Sequence, residues 1–325
     1  MFINFWYAMA RSDEVGDKPF KTRVLGQNFV LFRDTAGTVR CLNNVCTHRG
    51  GSLAAGRVRG DCIACPYHGW EFDGTGQCHR IPSAGREAKP GARTRTDAYP
   101  TQEKAGLIFA FLGDLPENER PPLIDIPELD DPAWRLTVLD WEINANYERA
   151  VENALDPAHN EFVHPVSGSA GERDDYCVKP LEPLPADWGV GFMTTFETQA
   201  PKKAGIDDSI KGKAAPAMTV EAGSGFHGPN ALWTYLHFGE WNKMHQYLFE
   251  TPIDETRIRA FNLNYRNSML EERFDEIIDR QNRIIAEQDV AILEDLEPVR
   301  TPDTLTRENM VEADSIVVRY REHLK

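Results

Sequence analysis

Two cysteine–histidine pairs constrain this chain more than any other feature. The first pair is Cys46 and His48, the second is Cys65 and His68, and sixteen residues separate the two pairs. Thiolate and imidazole are ligands that suit soft and borderline transition metals. Two matched pairs at this short spacing therefore predict a metal centre held on two loops.

The mixture of ligands indicates the type of centre. A Rieske [2Fe–2S] cluster has two cysteines on one iron and two histidines on the other, and these four residues supply that set. A structural zinc ribbon is the alternative, because Cys62 and Cys65 also form a Cys-x-x-Cys pair and zinc accepts mixed ligands. A zinc site would leave no role for the residues that follow each pair, at 49–51 and 69–70.

The chain resembles a known family at these positions. Residues 46–50 read CTHRG and residues 65–70 read CPYHGW, which is similar to the Rieske domain of the Rieske non-haem iron oxygenases. In such a cluster Cys46 and Cys65 would bind one iron, and His48 and His68 the other.

Charge and cysteine usage limit the class of protein. The 325 residues include 36 basic and 51 acidic side chains, a net charge of −15, which argues against nucleic acid or an anionic membrane as partner. The apolar segment 1–10 has no basic leader and is shorter than the roughly 20 residues of a membrane span. Four of the six cysteines lie outside the cluster motif and lack disulfide-framework spacing. We therefore expect reduced thiols, apolar packing for those four, and a cytoplasmic protein.

The length and the residue pattern predict two domains. Short apolar runs separated by Asp/Gly turns between residues 20 and 111 indicate a small all-β domain that carries the cluster. A Pro-rich segment from Arg120 to Pro132 marks the boundary, so we place a Rieske domain at 1–118 and a catalytic domain at 119–325.

The predicted catalytic domain is α+β. A strand is expected at 134–143, a helix near 146–155, further strands between 190 and 265, and a long helix from about 268 to 296. A curved antiparallel sheet with the long helix lying across it, a helix-grip arrangement, accounts for this order.

His159 and His164 predict a second metal site. Two histidines close in sequence suit a ferrous ion, and one distant carboxylate would complete a 2-His-1-carboxylate triad with open positions for O₂. Because the two histidines are five residues apart, the turn between them must be irregular or end near Pro165. Surface or core histidines are the competing interpretation.

Asp289 is the candidate for the third ligand, ahead of Glu294 and Asp295. It falls on the expected buried stripe of the long helix, which consists of Phe274, Ile278, Ile285, Ile292 and Leu296. A buried carboxylate is unfavourable unless it is paired or bound to a metal. Iron ligation is therefore expected at Asp289, and the alternative is a salt bridge or a hydrogen-bonded pair with another buried side chain.

The family resemblance extends through residues 153–164 and 287–292. It implies reductive activation of O₂ at an iron held by His159, His164 and Asp289, with single electrons from the cluster. It also implies that Asp156 bridges a cluster histidine of one subunit and an iron histidine of the next, in a head-to-tail ring that is usually a trimer. The competing role for Asp156 is capping of the helix that begins after it, since Asp followed by Pro is a helix-start signature.

The resemblance implies a terminal oxygenase that hydroxylates or demethylates a hydrophobic, aromatic or cyclic small molecule. The chain lacks a G-x-G-x-x-G fingerprint and a second cysteine array. Electrons from NAD(P)H are therefore expected through a separate reductase, with or without a ferredoxin. Two alternatives stay open: cis-dihydroxylation of an aromatic ring, and an electron carrier that uses the cluster alone.

The substrate pocket is expected between Val190 and Phe249, with Asn230, Trp233 and His245 as leading candidates. The further candidates are Phe192, Phe196, Phe226, Tyr235, His237 and Phe249. Ordinary core packing is the competing role for most of these aromatic side chains.

Overall fold

The computed structural model describes residues 2–164, 171, 174–198 and 218–325. The chain divides into two compact units. The first comprises Met1–Leu123 and Thr251–Glu255, the second Ile124–Glu250 and Thr256–Lys325. The sequence-based boundary between residues 118 and 119 stays a prediction. Among the helices of the described ranges, none combines the length and the apolar character that crossing a bilayer takes.

The first unit is built from antiparallel β-sheets, which confirms the predicted small all-β domain. Its strands are β1 (Phe5–Arg11), β2 (Phe20–Val24), β3 (Gln27–Arg33), β4 (Val39–Asn43), β5 (Arg57–Arg59), β6 (Cys62–Ala64), β7 (Glu71–Asp73), β8 (Cys78–Arg80), β9 (Ala98–Tyr99), β10 (Thr101–Lys104) and β11 (Leu107–Leu112). They form sheets in the orders β1-β11-β10, β2-β3-β4-β9 and β5-β6-β7-β8. Both cluster cysteines pack in a buried apolar group with Phe32, Ile63 and Phe72, so the core fixes the position of their thiols.

The second unit combines one large sheet with helices, which confirms the α+β prediction. Its elements are β12 (Arg135–Ile143), α1 (Tyr147–Leu155), α2 (His159–Val163), β13 (Leu184–Ala186), β14 (Gly189–Thr198), β15 (Met218–His227), β16 (Ala231–His237), β17 (Lys243–Pro252), β18 (Ile258–Arg266), α3 (Asp275–Leu293) and α4 (Ser315–His323). The strand order is β12-β18-β17-β16-β15-β14-β13. Strands β13 to β17 pair antiparallel in sequence order, and β12 pairs antiparallel with β18.

Helix α1 begins with a side-chain cap and packs its apolar face into the core. The side chain of Asn146 accepts a hydrogen bond from the amide of Glu148 at 3.0 Å, which satisfies a free donor in the first turn. Val151 and Leu155 are buried against Phe226. The chain segment that follows α1 is therefore held at a fixed place beside the sheet.

Helix α3 differs from the prediction in its start and in its buried stripe. It begins at Asp275, later than expected, and Ile292 is 46% exposed, so the predicted stripe is wrong at that position. The buried side instead includes Ile278, Asn282 and Leu293. Asp289 lies seven residues after Asn282 and four before Leu293, which keeps it on that side at 3.6 residues per turn.

The four remaining cysteines do not share one environment. Cys41 and Cys78 are buried, Cys62 is partly buried and Cys177 is exposed. The predicted apolar packing is therefore wrong for Cys177, which lies at the surface in the segment between α2 and β13. All six thiols are free.

Candidate metal centres

Two loops with the same backbone hydrogen-bond pattern carry the candidate cluster residues. One loop joins β4 to β5 and the other joins β6 to β7. In each, a glycine amide donates to the carbonyl of the cysteine four residues earlier, from Gly50 to Cys46 at 2.9 Å and from Gly69 to Cys65 at 3.0 Å. Both glycines have positive φ, +72° and +71°, which residues with a Cβ rarely adopt. The glycines therefore allow a tight turn that follows the cysteine–histidine pair in each loop.

The four candidate side chains converge between these loops. The rings of His48 and His68 lie 4.5 Å apart between centroids. A Cβ placed on Gly51 would lie 3.0 Å from Sγ of Cys65 and 3.9 Å from Cβ of Cys46, so the bare glycine leaves room beside the thiols. Nδ1 of His48 is buried and has no hydrogen-bond partner in the described part of the chain. A buried polar atom without a partner is unfavourable unless it binds another group.

The composition of the donor set bears on the type of centre. A Rieske [2Fe–2S] cluster takes two cysteines on one iron and two histidines on the other, and these two loops bring that set together. The donor set therefore fits a [2Fe–2S] cluster.

Neighbouring groups orient and tune this site. Trp70 stacks on His48 with ring centroids 4.5 Å apart and planes at 2°, which fixes the imidazole plane. Burial raises the pKa of Cys46 to about 11, so its thiol keeps the proton until a metal displaces it. Tyr67 is 61% exposed and His68 is exposed beside it. This edge of the second loop is therefore open to solvent.

His159, His164 and Asp289 form the group whose ligand atoms lie within 4.8 Å of one another. Oδ1 of Asp289 lies 3.2 Å from Nε2 of His164 and 3.6 Å from Nε2 of His159. Helix α2 ends at Val163, so His164 leaves the helical path and its ring meets that of His159 at 79°. This break resolves the five-residue spacing, which one regular helix face would not accommodate. The arrangement could hold a ferrous ion with positions left open.

Both histidines present Nε2 to this centre because their Nδ1 atoms are engaged. Nδ1 of His159 lies 2.5 Å from the backbone oxygen of Asp156, and Nδ1 of His164 lies 3.0 Å from Oε1 of Gln288. Each oxygen accepts the Nδ1 proton, which leaves the Nε2 lone pair for a metal. Nδ2 of Asn153 donates to Oδ1 of Asp289 at 3.0 Å and so holds the carboxylate.

The electrostatics of the site follow from burial and from Asp289. Burial lowers the pKa of His159, which favours the neutral imidazole that binds metals. Burial also opposes charge on His164, but hydrogen bonding to Asp289 and its charge raise the pKa of this histidine. Glu250 is buried nearby, and burial together with the charge of Asp289 raises its pKa to about 8. A cation at the triad would offset the charge of Asp289 and so lower the pKa of Glu250 toward its usual range.

A cavity of about 410 Å³ lies beside the helix that carries His159. One wall is formed by the segment from Asp156 to Glu161, and the sheet contributes side chains of β14, β15 and β16, among them Phe192, Ser224 and Leu236. Its size and mixed lining suit a small organic molecule.

Comparison with known protein families gives two matches that together cover most of the chain. Residues 5–100 match the family model of the Rieske [2Fe–2S] domain. Residues 143–325 match the model described as the vanillate O-demethylase oxygenase C-terminal domain. The chain belongs to the Rieske non-haem iron oxygenases. The predicted family resemblance is thereby confirmed.

Several individual proteins are similar to this Rieske oxygenase chain. The 4beta-methylsterol monooxygenase of Methylococcus capsulatus is 37% identical over 267 residues, which span 79% of this chain and 67% of that protein. A 3-ketosteroid-9-alpha-monooxygenase oxygenase component of Rhodococcus rhodochrous is 35% identical over 171 residues, 50% of this chain and 44% of that one. The chain thus spans about half the length of several curated relatives. A crystal structure of dicamba monooxygenase with 3,6-dichlorosalicylic acid has the same fold, at a TM-score of 0.80 and 22% identity, covering 99% of this chain and 96% of that one.

The three leading pocket candidates do not line the cavity of this Rieske oxygenase. Thr234 faces it from β16, so strand alternation turns Trp233 to the other side of the sheet, where its ring packs over Gly225. His245 contacts Glu128 there, at 2.5 Å between Nδ1 and Oε1, and Asn230 is buried in the turn before β16. No local sequence pattern specifies the register of the sheet, and without a register the two faces of a strand cannot be told apart.

The remaining candidates divide between the cavity and the core. Phe192 and Phe196 line the cavity, whereas Phe226 and Phe249 are core residues. Tyr235 stacks on His245, and His237 contacts the same histidine.

Sequence reasoning also missed several residues that position the candidate metal ligands. Asn153 and Gln288 each contact a candidate ligand of the triad. The available signal was their place in the sequence, since Asn153 begins the segment 153–164 and Gln288 precedes Asp289. Glu250 had no such signal, because its closeness to Asp289 depends on how β17 meets α3. Asp156 is not the N-cap of α2, because the helix begins at His159 after Ala158 without a side-chain cap. Oδ1 of Asp156 instead accepts from the amide of Ala158 at 2.7 Å in the turn before the helix. Glu294 accepts from Asn144 at 2.9 Å, which gives it a structural partner away from the triad.

Proposed function

We propose that this chain is the oxygenase component of a monooxygenase system that hydroxylates or demethylates a hydrophobic cyclic small molecule. The observation that carries the proposal is the presence in one chain of two different donor sets. Loops with two cysteines and two histidines suit electron transfer, and a separate group of two histidines and one carboxylate suits O₂ chemistry. An electron carrier that uses the cluster alone has no need for the second set.

Roles follow for individual residues. Cys46 and Cys65 hold one iron of the cluster and His48 and His68 the other, while the triad of His159, His164 and Asp289 holds a ferrous ion. When bound, the cluster supplies single electrons and the ferrous ion supplies coordination positions for O₂.

The chain's own side chains prepare the second centre for this chemistry. Gln288 and the carbonyl of Asp156 keep both imidazoles in the metal-binding tautomer. Asn153 restrains the carboxylate of Asp289. The sheet wall that includes Phe192 and Leu236 excludes water from one side of the adjacent cavity.

The proposal includes partners and an assembly. Electrons come from NAD(P)H through a separate reductase, with or without a ferredoxin, and the exposed edge at Tyr67 and His68 offers a place for electron exchange. Asp156 links the two centres across the subunit interfaces of a head-to-tail homotrimer. Within each chain the Rieske domain occupies residues 1–118 and the catalytic domain residues 119–325. The four cysteines outside the cluster motif have free thiols, which supports a reducing compartment, the cytoplasm.

The names of relatives support the type of substrate. The relatives include oxygenase components named for a methylsterol and a 3-ketosteroid, both of which are fused-ring, largely apolar molecules. A cavity of about 410 Å³ is in the range of pockets that enclose small organic ligands.

A single-turnover assay tests the proposal. Protein with its cluster reduced chemically is given ¹⁸O₂ and a panel of aromatic, methoxylated, N-methyl and steroid compounds, and the products are read by mass spectrometry. One labelled oxygen in a product, or loss of a methyl group as labelled aldehyde, is expected. Two labelled oxygens with two added hydrogens would instead establish cis-dihydroxylation.

A further inference from the structure

Two histidines meet on the face of the large sheet that lies away from the cavity. His237 of β16 and His245 of β17 have their Nε2 atoms 2.9 Å apart. Nδ1 of His237 lies 2.8 Å from Oε2 of Glu221, and Nδ1 of His245 lies 2.5 Å from Oε1 of Glu128. These four residues, called the dihistidine cluster below, all belong to the second unit. The cluster shares no residue with the triad.

The contacts at Nδ1 decide where the lone pair of each imidazole lies. Burial opposes charge on Glu128, but hydrogen bonds from His245 and Tyr247 lower the pKa of its carboxyl. Glu128 is therefore a carboxylate that accepts the Nδ1 proton of His245, and Glu221 accepts that of His237 in the same way. Each neutral ring then has its lone pair on Nε2. Two lone pairs that face each other at 2.9 Å repel, so a cation is needed between them.

A proton or a metal ion can take this position. A shared proton would form an N–H···N hydrogen bond, for which 2.9 Å is an ordinary length. A metal ion would use both lone pairs, and a carboxylate on the other ring nitrogen is the usual second contact of a metal-bound histidine. The triad has the same orientation, because oxygens hold Nδ1 of His159 and of His164. The dihistidine cluster thus presents its imidazoles as metal ligands are presented.

The surroundings hold one ring firmly and leave room for movement at the other. Tyr235 stacks on His245 with ring centroids 3.9 Å apart, and Trp134 contacts the same ring at 4.5 Å. The side chain of His237 is 17% exposed and that of its partner Glu221 is 54% exposed. Two nitrogens on one tetrahedral zinc lie about 3.4 Å apart when each bond is about 2.0–2.1 Å, so the rings must separate by about 0.5 Å. A small shift of His237 toward solvent supplies this separation.

The charges around the dihistidine cluster favour a divalent cation over a proton. Burial raises the pKa of Tyr235, and the charges of Glu128 and Asp125 raise it further, which indicates a negative potential beside His245. Lys243 lies opposite His237 in the strand register and is partly exposed, so its ammonium group can remain in water. A divalent ion offsets the charges of both cluster carboxylates, whereas a shared proton offsets one.

We propose that His237 and His245 bind a divalent transition metal ion through their Nε2 atoms, with water in the remaining coordination positions. Imidazole suits several such ions, and Zn²⁺ is the probe because it has no redox chemistry. A proton shared by the two rings leaves to solvent as the metal binds. The bound ion joins β16 to β17 and, through Glu128, to the segment before β12. This site goes beyond the proposed oxygenase function and does not depend on it.

Zinc titration of the holoenzyme tests the proposal. Protein with its cluster and triad iron in place is dialysed against a series of free Zn²⁺ concentrations set by a chelator, and zinc and iron are counted per chain. The variants are His237→Gln and Glu221→Gln. His79→Gln is the matched control, since His79 is an exposed histidine that contacts one carboxylate, Asp73, at 2.7 Å. An unchanged iron count ensures that zinc has not entered the triad.

Wild type and His79→Gln are expected to bind one more zinc per chain than His237→Gln. Glu221→Gln should bind this zinc about 10-fold more weakly, because the loss of a carboxylate behind a histidine ligand lowers metal affinity by about 10- to 100-fold. Zinc should raise the melting temperature of wild type but not that of His237→Gln.

Equal zinc binding by wild type and His237→Gln would overturn the proposal and leave a shared proton as the link between the rings. The cluster spectrum and the thermal unfolding of each variant report whether it is folded. If His237→Gln does not fold, Glu221→Gln decides the question, because its side chain is exposed. A zinc affinity of Glu221→Gln equal to that of wild type would then overturn the proposal, and a 10-fold loss would support it.

Discussion

Oε1 of Gln288 lies 3.0 Å from Nδ1 of His164, one residue before the candidate ligand Asp289. A single turn of α3 thus supplies both a metal ligand and the group that orients a second ligand from α2. Contacts of this kind fix the tautomer and the ring orientation of a metal-bound histidine.

Replacing Gln288 with leucine should weaken iron binding while the cluster persists. The imidazole of His164 then loses the acceptor that keeps its proton on Nδ1, and such losses lower metal affinity by about 10- to 100-fold. Iron retained after dialysis against a chelator, compared with labile sulfide in the same sample, measures the effect. Glu287→Gln, an exposed neighbour in the same helix, is the control, and equal iron loss in both variants would contradict the prediction.

Asp156→Asn should keep both metal centres and slow electron transfer between them. An asparagine Oδ1 can still accept from the amide of Ala158, as Asp156 does at 2.7 Å, so the turn before α2 is preserved. The lost charge removes the carboxylate proposed to link the two centres. Stopped-flow oxidation of the reduced cluster by O₂ measures the rate, and a rate equal to that of wild type at full metal content would show that the bridging role is wrong.

Stability of protein depleted of the triad iron should fall as the pH rises from about 4.5 to about 8. Burial raises the pKa of Glu250 from 4.5 to about 8 in the folded chain, so within this window the folded state holds a proton that the unfolded state has released. The stabilising contribution of Glu250 is fully present below its pKa in the unfolded chain and is lost as the pH rises through its pKa in the folded chain. Within this window the free energy of unfolding falls by at most about 1.4 kcal/mol per pH unit.

Glu250→Gln tests this pH dependence directly. The amide cannot ionise, so the melting temperature of the variant minus that of wild type should become more positive between pH 5 and pH 8.5. Glu182→Gln, which alters an exposed carboxylate, should show no such trend. A difference that stays constant with pH would contradict the assignment to Glu250.

Removing Arg321 alone should destabilise the second unit more than removing the whole ion pair. Arg321 donates to both oxygens of Glu152, at 2.5 Å and 2.7 Å, and both residues are buried. Arg321→Leu leaves a buried carboxylate without its main partner, which costs about 3–5 kcal/mol. The double variant Arg321→Leu with Glu152→Leu should recover much of that loss in thermal unfolding. Arg319→Leu, an exposed position on the same helix, is the matched control.

Local chemistry explains why the grouping of the candidate metal ligands could be predicted from the sequence. The two cluster loops are short, and their glycines at 50 and 69 impose the same turn on each. Asp289 was placed on the buried side of its helix because a helix has a fixed period, even though Ile292 proved to be exposed. For the two loops and for Asp289, geometry over a few neighbouring residues was sufficient to predict where the side chains lie.

The pocket residues depended on long-range geometry instead. Thr234 faces the cavity and Trp233 does not. The pairing of β15, β16 and β17 determines which face of β16 each side chain lies on. A shift of one residue in register would exchange the two faces. The closeness of Glu250 to Asp289 likewise comes from tertiary packing, which no local pattern encodes.

Comparison of wild type with Asp289→Ala in one ¹⁸O₂ single turnover tests the central claim most directly, with iron and labile sulfide counted in each sample. Asp295→Asn, an exposed carboxylate on the same chain segment, controls for the loss of a charge. Wild type and Asp295→Asn should form singly labelled product, whereas Asp289→Ala should lose the triad iron, keep the sulfide and the cluster spectrum, and form no product. Labelled product from Asp289→Ala at the wild-type yield would contradict the claim that the triad is the site of oxygen transfer.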